Sequence, residues 1–203
     1  MRTSRLEAFS DGVLAIIITI MVLELKVPEG HTLYDLKDTT GVGLLTYLLT
    51  FVYVGIYWNN HHHMFQLAGR VSGGVLWANL ALLFCLSLFP FTTAWVDETR
   101  LQQIPVVIYG INLLAAAVAY YVLQTVIIRK EGPQSPLRAA IGTDLKGKLS
   151  PFLYLTGIII AAIPGTGQVG AWIAMTCFVI VAIMWLVPDR RIERVLREHD
   201  TPG

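Results

Sequence analysis

The sequence predicts an all-α integral membrane protein built from six transmembrane helices, and three observations carry that prediction. The 203-residue chain is 55% hydrophobic and only 14% charged, with a mean hydropathy of +0.60, too apolar for an ordinary soluble domain. Apolar runs close to the roughly 20 residues that a spanning helix needs recur about six times along it. Lysine and arginine collect in alternate connections between those runs, as the two faces of a membrane impose.

The spans fall near Phe9–Val27, Val42–His61, Gly73–Trp95, Ile104–Ile128, Leu149–Ile163 and Gln168–Val187. Arg2 and Arg5 ahead of the first run imitate a secretory signal, but the run continues through Leu25 without a small-residue cleavage site and is expected to be retained. The second span ends in the polar cluster Trp58-Asn59-Asn60-His61-His62-His63, and the third carries Trp77 and Asn79. The fifth is short and bounded by Pro151 and Pro164. Pro164-Gly165-Thr166-Gly167 then reads as a tight turn that closes a helical hairpin with the sixth.

The connections leave no room for a second domain, so residues 1–203 are expected to form one membrane unit. Pro28–Gly41 and Arg129–Lys148 hold too few apolar residues for a core. Within the latter, Ser135–Lys148 has an amphipathic pattern, with Leu137, Ala140, Ile141 and Leu145 on one side, suited to the membrane surface. Asp189–Gly203 is expected to be a short charged helix or a disordered end. Cys85 and Cys177 lie inside apolar runs and read as small buried hydrophobes.

Charge sets the orientation. Arg2, Arg5, Arg70, Arg129, Lys130, Arg138, Lys146, Lys148, Arg190, Arg191, Arg194 and Arg197 lie on one side of a six-span layout, leaving Lys26, Lys37 and Arg100 on the other. Positive charge is retained in the cytoplasm, so both termini are expected there.

The first eleven residues hold the most specific signal. Arg5, Phe9, Ser10 and Asp11, spaced R-x-x-x-F-S-D, open directly onto an uncharged run from Gly12 to Leu23. A carboxylate beside lipid is costly, so Asp11 is expected to be paired, to cap the helix, or to face water inside a bundle. At 100° per residue, Ile16, Ile20 and Leu23 form one stripe, extended by Phe9 and Gly12 and edged by Thr19, whereas Ser10 and Asp11 point substantially away. Such a stripe equally suits lipid contact or packing between helices.

Other chemistries find little support. A net charge of +1 offers no basic field for nucleic acid. Three consecutive histidines diverge by about 100° each on a helix and cannot all meet one ion, so no metal site is expected. No catalytic motif occurs, which argues against an enzyme. Asp11 and Glu24 are separated by about 20 Å of helix and cannot share a substrate atom.

With R-x-x-x-F-S-D on the first helix, Trp58 and His61 on the second, and Trp77 and Asn79 on the third, the chain resembles the transmembrane protein 175 family of potassium channels, in its prokaryotic single-repeat form. The resemblance implies a homotetramer in a prokaryotic cytoplasmic (inner) membrane, with the first helix of each subunit lining a central pore. It implies no cofactor, potassium as the permeant ion, other monovalent cations or protons as further candidates, and membrane lipid as the surroundings. No T-V-G-Y-G occurs, so a carbonyl filter is not available by that route. By the resemblance, the constriction falls on Ile16, Ile20 and Leu23 with Thr19 as a polar layer beside them. Arg5, Phe9, Ser10 and Asp11 would form a network with Trp58, His61 and Asn79 that holds the pore helix. Glu24 is a candidate outer cation collar, though a solvated helix end paired with Lys26 explains it as well and is preferred. The alternative class is a proton-coupled transporter using Asp11 and His61 as a relay; no internal repeat or broken helix is evident to favour it.

Overall fold

Among the described residues, eight helices in chain order build an all-α membrane fold: α1 (Thr3–Leu23), α2 (Leu33–Leu67), α3 (Gly73–Ser87), α4 (Phe89–Glu98), α5 (Gln103–Glu131), α6 (Pro136–Ile141), α7 (Leu145–Ala162) and α8 (Gly167–Leu186). The structure, a computed structural model, describes residues 3–69, 71–141 and 145–186. With α3 and α4 taken as one crossing, six segments among the described residues are long and apolar enough to span a bilayer. The tail Asp189–Gly203, Arg2 and Arg70 lie outside the described residues.

Local chemistry explains where the helices start, break and stop. Thr32 caps α2: its hydroxyl accepts from the Asp35 amide at 3.2 Å while the Asp35 carboxylate accepts from the Thr32 amide at 2.9 Å, so two otherwise unpaired donors are satisfied together. The helix runs 35 residues, about 52 Å, and therefore extends past the apolar segment Val42–His61 at both ends.

The third apolar run is interrupted at Leu88, between α3 and α4. Pro90 has no amide hydrogen to give the Leu86 carbonyl, so the ladder cannot continue. The chain repairs itself locally: the Leu88 amide donates to the Cys85 carbonyl at 3.3 Å, and the Thr92 hydroxyl donates to Leu88 and Phe89 carbonyls. Asn112 of α5 donates to the Thr92 hydroxyl at 3.3 Å, fastening the bend to its neighbour. The third span expected near Gly73–Trp95 is thus crossed by two helices joined at Leu88, and Pro90 is the cause of the break.

The α7–α8 turn relies on glycine, because Gly165 (φ 87°) and Gly167 (φ 52°) occupy the left-handed region. Gln103, at the start of α5, donates to the Ala161 and Ile163 carbonyls and to the Thr166 hydroxyl, each at about 3 Å, and so pins this hairpin to α5. Deeper in the bundle, Tyr53 donates to the Phe178 carbonyl at 2.6 Å, and the Tyr109 and Tyr154 rings lie about 6 Å from Phe178. Small residues let the helices approach: a Cβ on Gly110 would lie 2.5 Å from Phe178 Cζ.

α1 lies against α2, α3 and α4, burying Leu6, Ser10, Leu14, Ile17 and Met21. Of the amphipathic stretch after α5, Leu137 is buried rather than turned to a membrane surface, while Leu145 is exposed. Leu137 sits on α6, which packs against α2. The side chains of Ala140 and Ile141 lie outside the described set.

Candidate pore helix and its anchors

The two sides of α1 differ in kind. One follows Leu6, Ser10, Leu14, Ile17 and Met21 into the bundle. On the other, Ile16 is 58% exposed, Ile20 42% and Leu23 81%. Phe9 and Thr19 share that exposed side, and a Cβ on Gly12 would meet nothing within 4 Å. The Thr19 hydroxyl donates back to the Ile16 carbonyl at 2.9 Å, which satisfies it within its own helix. Glu24 is exposed just past the end of α1.

Two sets of polar contacts hold the N-terminal half of α1, on different neighbours because Ser10 and Asp11 are 100° apart around the helix. Toward α3, the Asn79 amide nitrogen donates to the Ser10 hydroxyl at 3.0 Å, and Ser10 donates on to the Leu6 carbonyl at 3.0 Å. With that nitrogen engaged, the Asn79 oxygen faces His61 Nε2 at 2.8 Å and accepts from it, which assigns the proton to Nε2. His61 Nδ1 is buried without a hydrogen-bond partner among the described residues, and the ring packs 4.6 Å from that of Phe65.

Toward α2, Trp58 Nε1 donates to the Asp11 carboxylate at 3.1 Å. One turn away, His62 Nδ1 donates to the Glu7 carboxylate, while Gln66 donates to His62 Nε2 at 2.8 Å. The pairs Asp11–Trp58 and Glu7–His62 are successive rungs of an antiparallel helix pair: four residues back along α1 is four residues forward along α2. Trp58 and His62 stack with ring centroids 6.2 Å apart, so the two rungs support each other.

The structure thus brings Ser10, Asn79 and His61 into one buried chain and Asp11 and Trp58 into a second contact. Arg5 and Phe9 join neither; Arg5 is exposed and makes no hydrogen bond or ion pair among the described residues. Glu7 and His62 are anchors that the motif did not point to. Their signal was the repeat itself, because a carboxylate one turn before Asp11 falls opposite the residue one turn after Trp58. Among the described residues no group of three or more histidine, cysteine or acidic side chains is placed to hold a metal ion.

Comparison with known proteins places this geometry. Residues 5–90 match the family model described as "Endosomal/lysosomal potassium channel TMEM175". A potassium channel of Chryseobacterium sp. (strain P1-3) is 50% identical over 98% of this chain and 100% of its own length. A potassium channel of Streptomyces collinus is 33% identical over 60% of this chain and 62% of its own. Among solved structures, that of a lysosomal potassium-selective channel TMEM175 homolog from Chamaesiphon minutus superimposes with a TM-score of 0.73 at 25% identity, covering 92% of this chain and 97% of that one.

Proposed function

The chain belongs to the TMEM175 family of ion channels, as an integral protein of a prokaryotic inner membrane, and we propose that it conducts potassium selectively and passively through a hydrophobic neck made by α1. In this proposal four subunits surround a central pore, both termini are cytoplasmic, and residues 1–203 act as one channel unit. The observation that carries it is the division of α1. One side is fixed by Ser10, Asp11 and the buried leucine line, while Ile16, Ile20 and Leu23 stand uncovered in the single subunit.

The neck would discriminate through hydration. Rings of isoleucine and leucine offer an ion no replacement for its water shell, so passage depends on how readily the ion strips or distorts that shell. Potassium is held less tightly by water than sodium and is favoured. The same ring dewets when it narrows, which supplies a closed state without a moving plug. Thr19 adds one polar layer beside the neck, and other monovalent cations or protons are candidates for weaker passage. Glu24 lies at the outer end, where a carboxylate would draw in cations.

Asp11 and His61 bond to different partners on different helices, which favours their use as anchors over a shared proton relay. Reconstituted protein under opposed potassium and sodium gradients tests the proposal. Unitary current steps reversing near the potassium equilibrium potential are expected. Saturable, proton-coupled flux without steps would replace the channel with a transporter.

A further inference from the structure

Away from α1, a cavity of about 320 Å³ opens between α2, α5, α7 and α8, within the size range of small-molecule and cofactor sites. We propose that it is a lipid site, holding one acyl chain of an anionic phospholipid whose headgroup rests on Lys148.

Position argues for a lipid. Gln124 near the end of α5, Lys148 in the first turn of α7 and Trp185 at the end of α8 all line the cavity. These helix ends border the connection that carries Arg129, Lys130, Arg138 and Lys146. The opening therefore sits where acyl chains give way to headgroups. Trp185 suits that level and is held there, its Nε1 donating to the Ser150 hydroxyl at 2.8 Å.

Chemistry argues for an acidic one. The walls are largely aromatic and aliphatic, so hydrocarbon is a natural filling in a bilayer. Among the described residues no acidic side chain lines it, and Lys148, exposed at its rim, takes part in no ion pair. A lysine at the mouth of a cavity between transmembrane helices, beside a connection rich in lysine and arginine, matches an anionic headgroup. Inside, Tyr57 is only 8% exposed and its hydroxyl has no hydrogen-bond partner among the described residues. A tyrosine hydroxyl at the cavity wall with no acceptor among the described residues is a donor, and a lipid ester carbonyl supplies an acceptor for it.

Quenching of tryptophan by bromine reads this site without using ion flux, so its outcome is separate from that of the channel proposal. The full-length protein is placed in phosphatidylcholine vesicles containing brominated-chain phosphatidylglycerol or, at equal mole fraction, brominated-chain phosphatidylcholine. The Trp185 contribution is taken by difference from Trp185→Phe. Phosphatidylglycerol is expected to occupy the site roughly five-fold better, the preference of one lysine near an anionic surface. Lys148→Gln, a change at an exposed position, should bring the two lipids to parity. Ala117→Phe, which fills the cavity, should remove the Trp185 quenching by both. Equal quenching by the two lipids in the unaltered protein would overturn the proposal, as would a preference that survives Lys148→Gln. A brominated free fatty acid that quenches Trp185 where the brominated phospholipid does not would overturn it too.

Discussion

Helices α1 and α8 have nearly the same length, 21 and 20 residues, and are held in opposite ways. α8 is positioned by shape: Gly170, Ala171, Ala174, Phe178, Val181 and Ala182 form its buried face, and neighbouring helices come close enough that glycine is required at their contacts. α1 packs a narrower line, Leu6, Leu14, Ile17 and Met21, and adds to it directed bonds by Ser10, Asp11 and Glu7 near its N-terminal end. Shape leaves a helix no alternative position, because any shift makes atoms overlap. Directed bonds fix the polar edge of α1 near its N-terminal end, and the face that carries Ile16, Ile20 and Leu23 stays uncovered within the subunit.

If that contrast is right, the largest loss of stability follows from disturbing the region packed by shape. A Cβ on Gly157 of α7 would lie 2.9 Å from Phe178 Cε1 and 3.3 Å from backbone atoms of Ala174 in α8. Gly157→Val adds two further methyls at the same point. Overpacking of a tight core costs about 1–3 kcal/mol and sometimes more, so a clear fall in melting temperature in detergent is expected. A melting temperature equal to that of the unaltered protein would mean that α7 and α8 pack more loosely than their glycines imply.

A smaller loss is expected at the bonded edge of α1. Asn79→Ala removes the partner of both His61 Nε2 and the Ser10 hydroxyl, leaving the histidine without a hydrogen bond on either nitrogen. Ser10 still donates to the Leu6 carbonyl, which limits the damage. Side-chain hydrogen bonds between membrane helices are worth about 0.6–2 kcal/mol, and the unpaired buried histidine adds to that. Combined with Ser10→Ala, the loss should be less than additive, since both changes break the same bond. Additive losses in a double-mutant cycle would show that Ser10 and Asn79 act independently.

How far these two regions could be read before folding differs for the same physical reason. Spans are legible because crossing a bilayer requires a long apolar run, and helical period alone puts Ile16, Ile20 and Leu23 on one side of α1, although it does not say whether that side is covered. Asp11 and Trp58 stand out because polar groups at the edge of lipid need partners. Glu7 did not stand out, as a glutamate outside an apolar run needs no special account until Asp11 and Trp58 set the register between α1 and α2. Pro90 marked the break at Leu88 in plain view, but the run around it was apolar enough to read as a single span. The fit of Gly157 and Gly110 around Phe178, and the cavity beside Tyr57, belong to no segment of the sequence. They arise where helices far apart in the chain meet.

The smallest change in stability, joined to a large change in behaviour, is expected on the bare face of α1. Ile16→Asn alters a side chain that touches little within the subunit, and changes at such positions usually stay within about 0.5 kcal/mol. The melting temperature should therefore stay near that of the unaltered protein, well above that of Gly157→Val. Conduction should respond strongly, because an amide in each subunit would let water remain in the neck, raising current and eroding the preference for potassium over sodium. Reversal potentials under mixed gradients measure the second effect directly, and Leu23→Asn is expected to act in the same direction. If Ile16→Asn instead lowered the melting temperature as much as Gly157→Val while leaving the reversal potential unchanged, the exposed face would be a packing surface between subunits. The constriction would then have to be sought elsewhere on the chain.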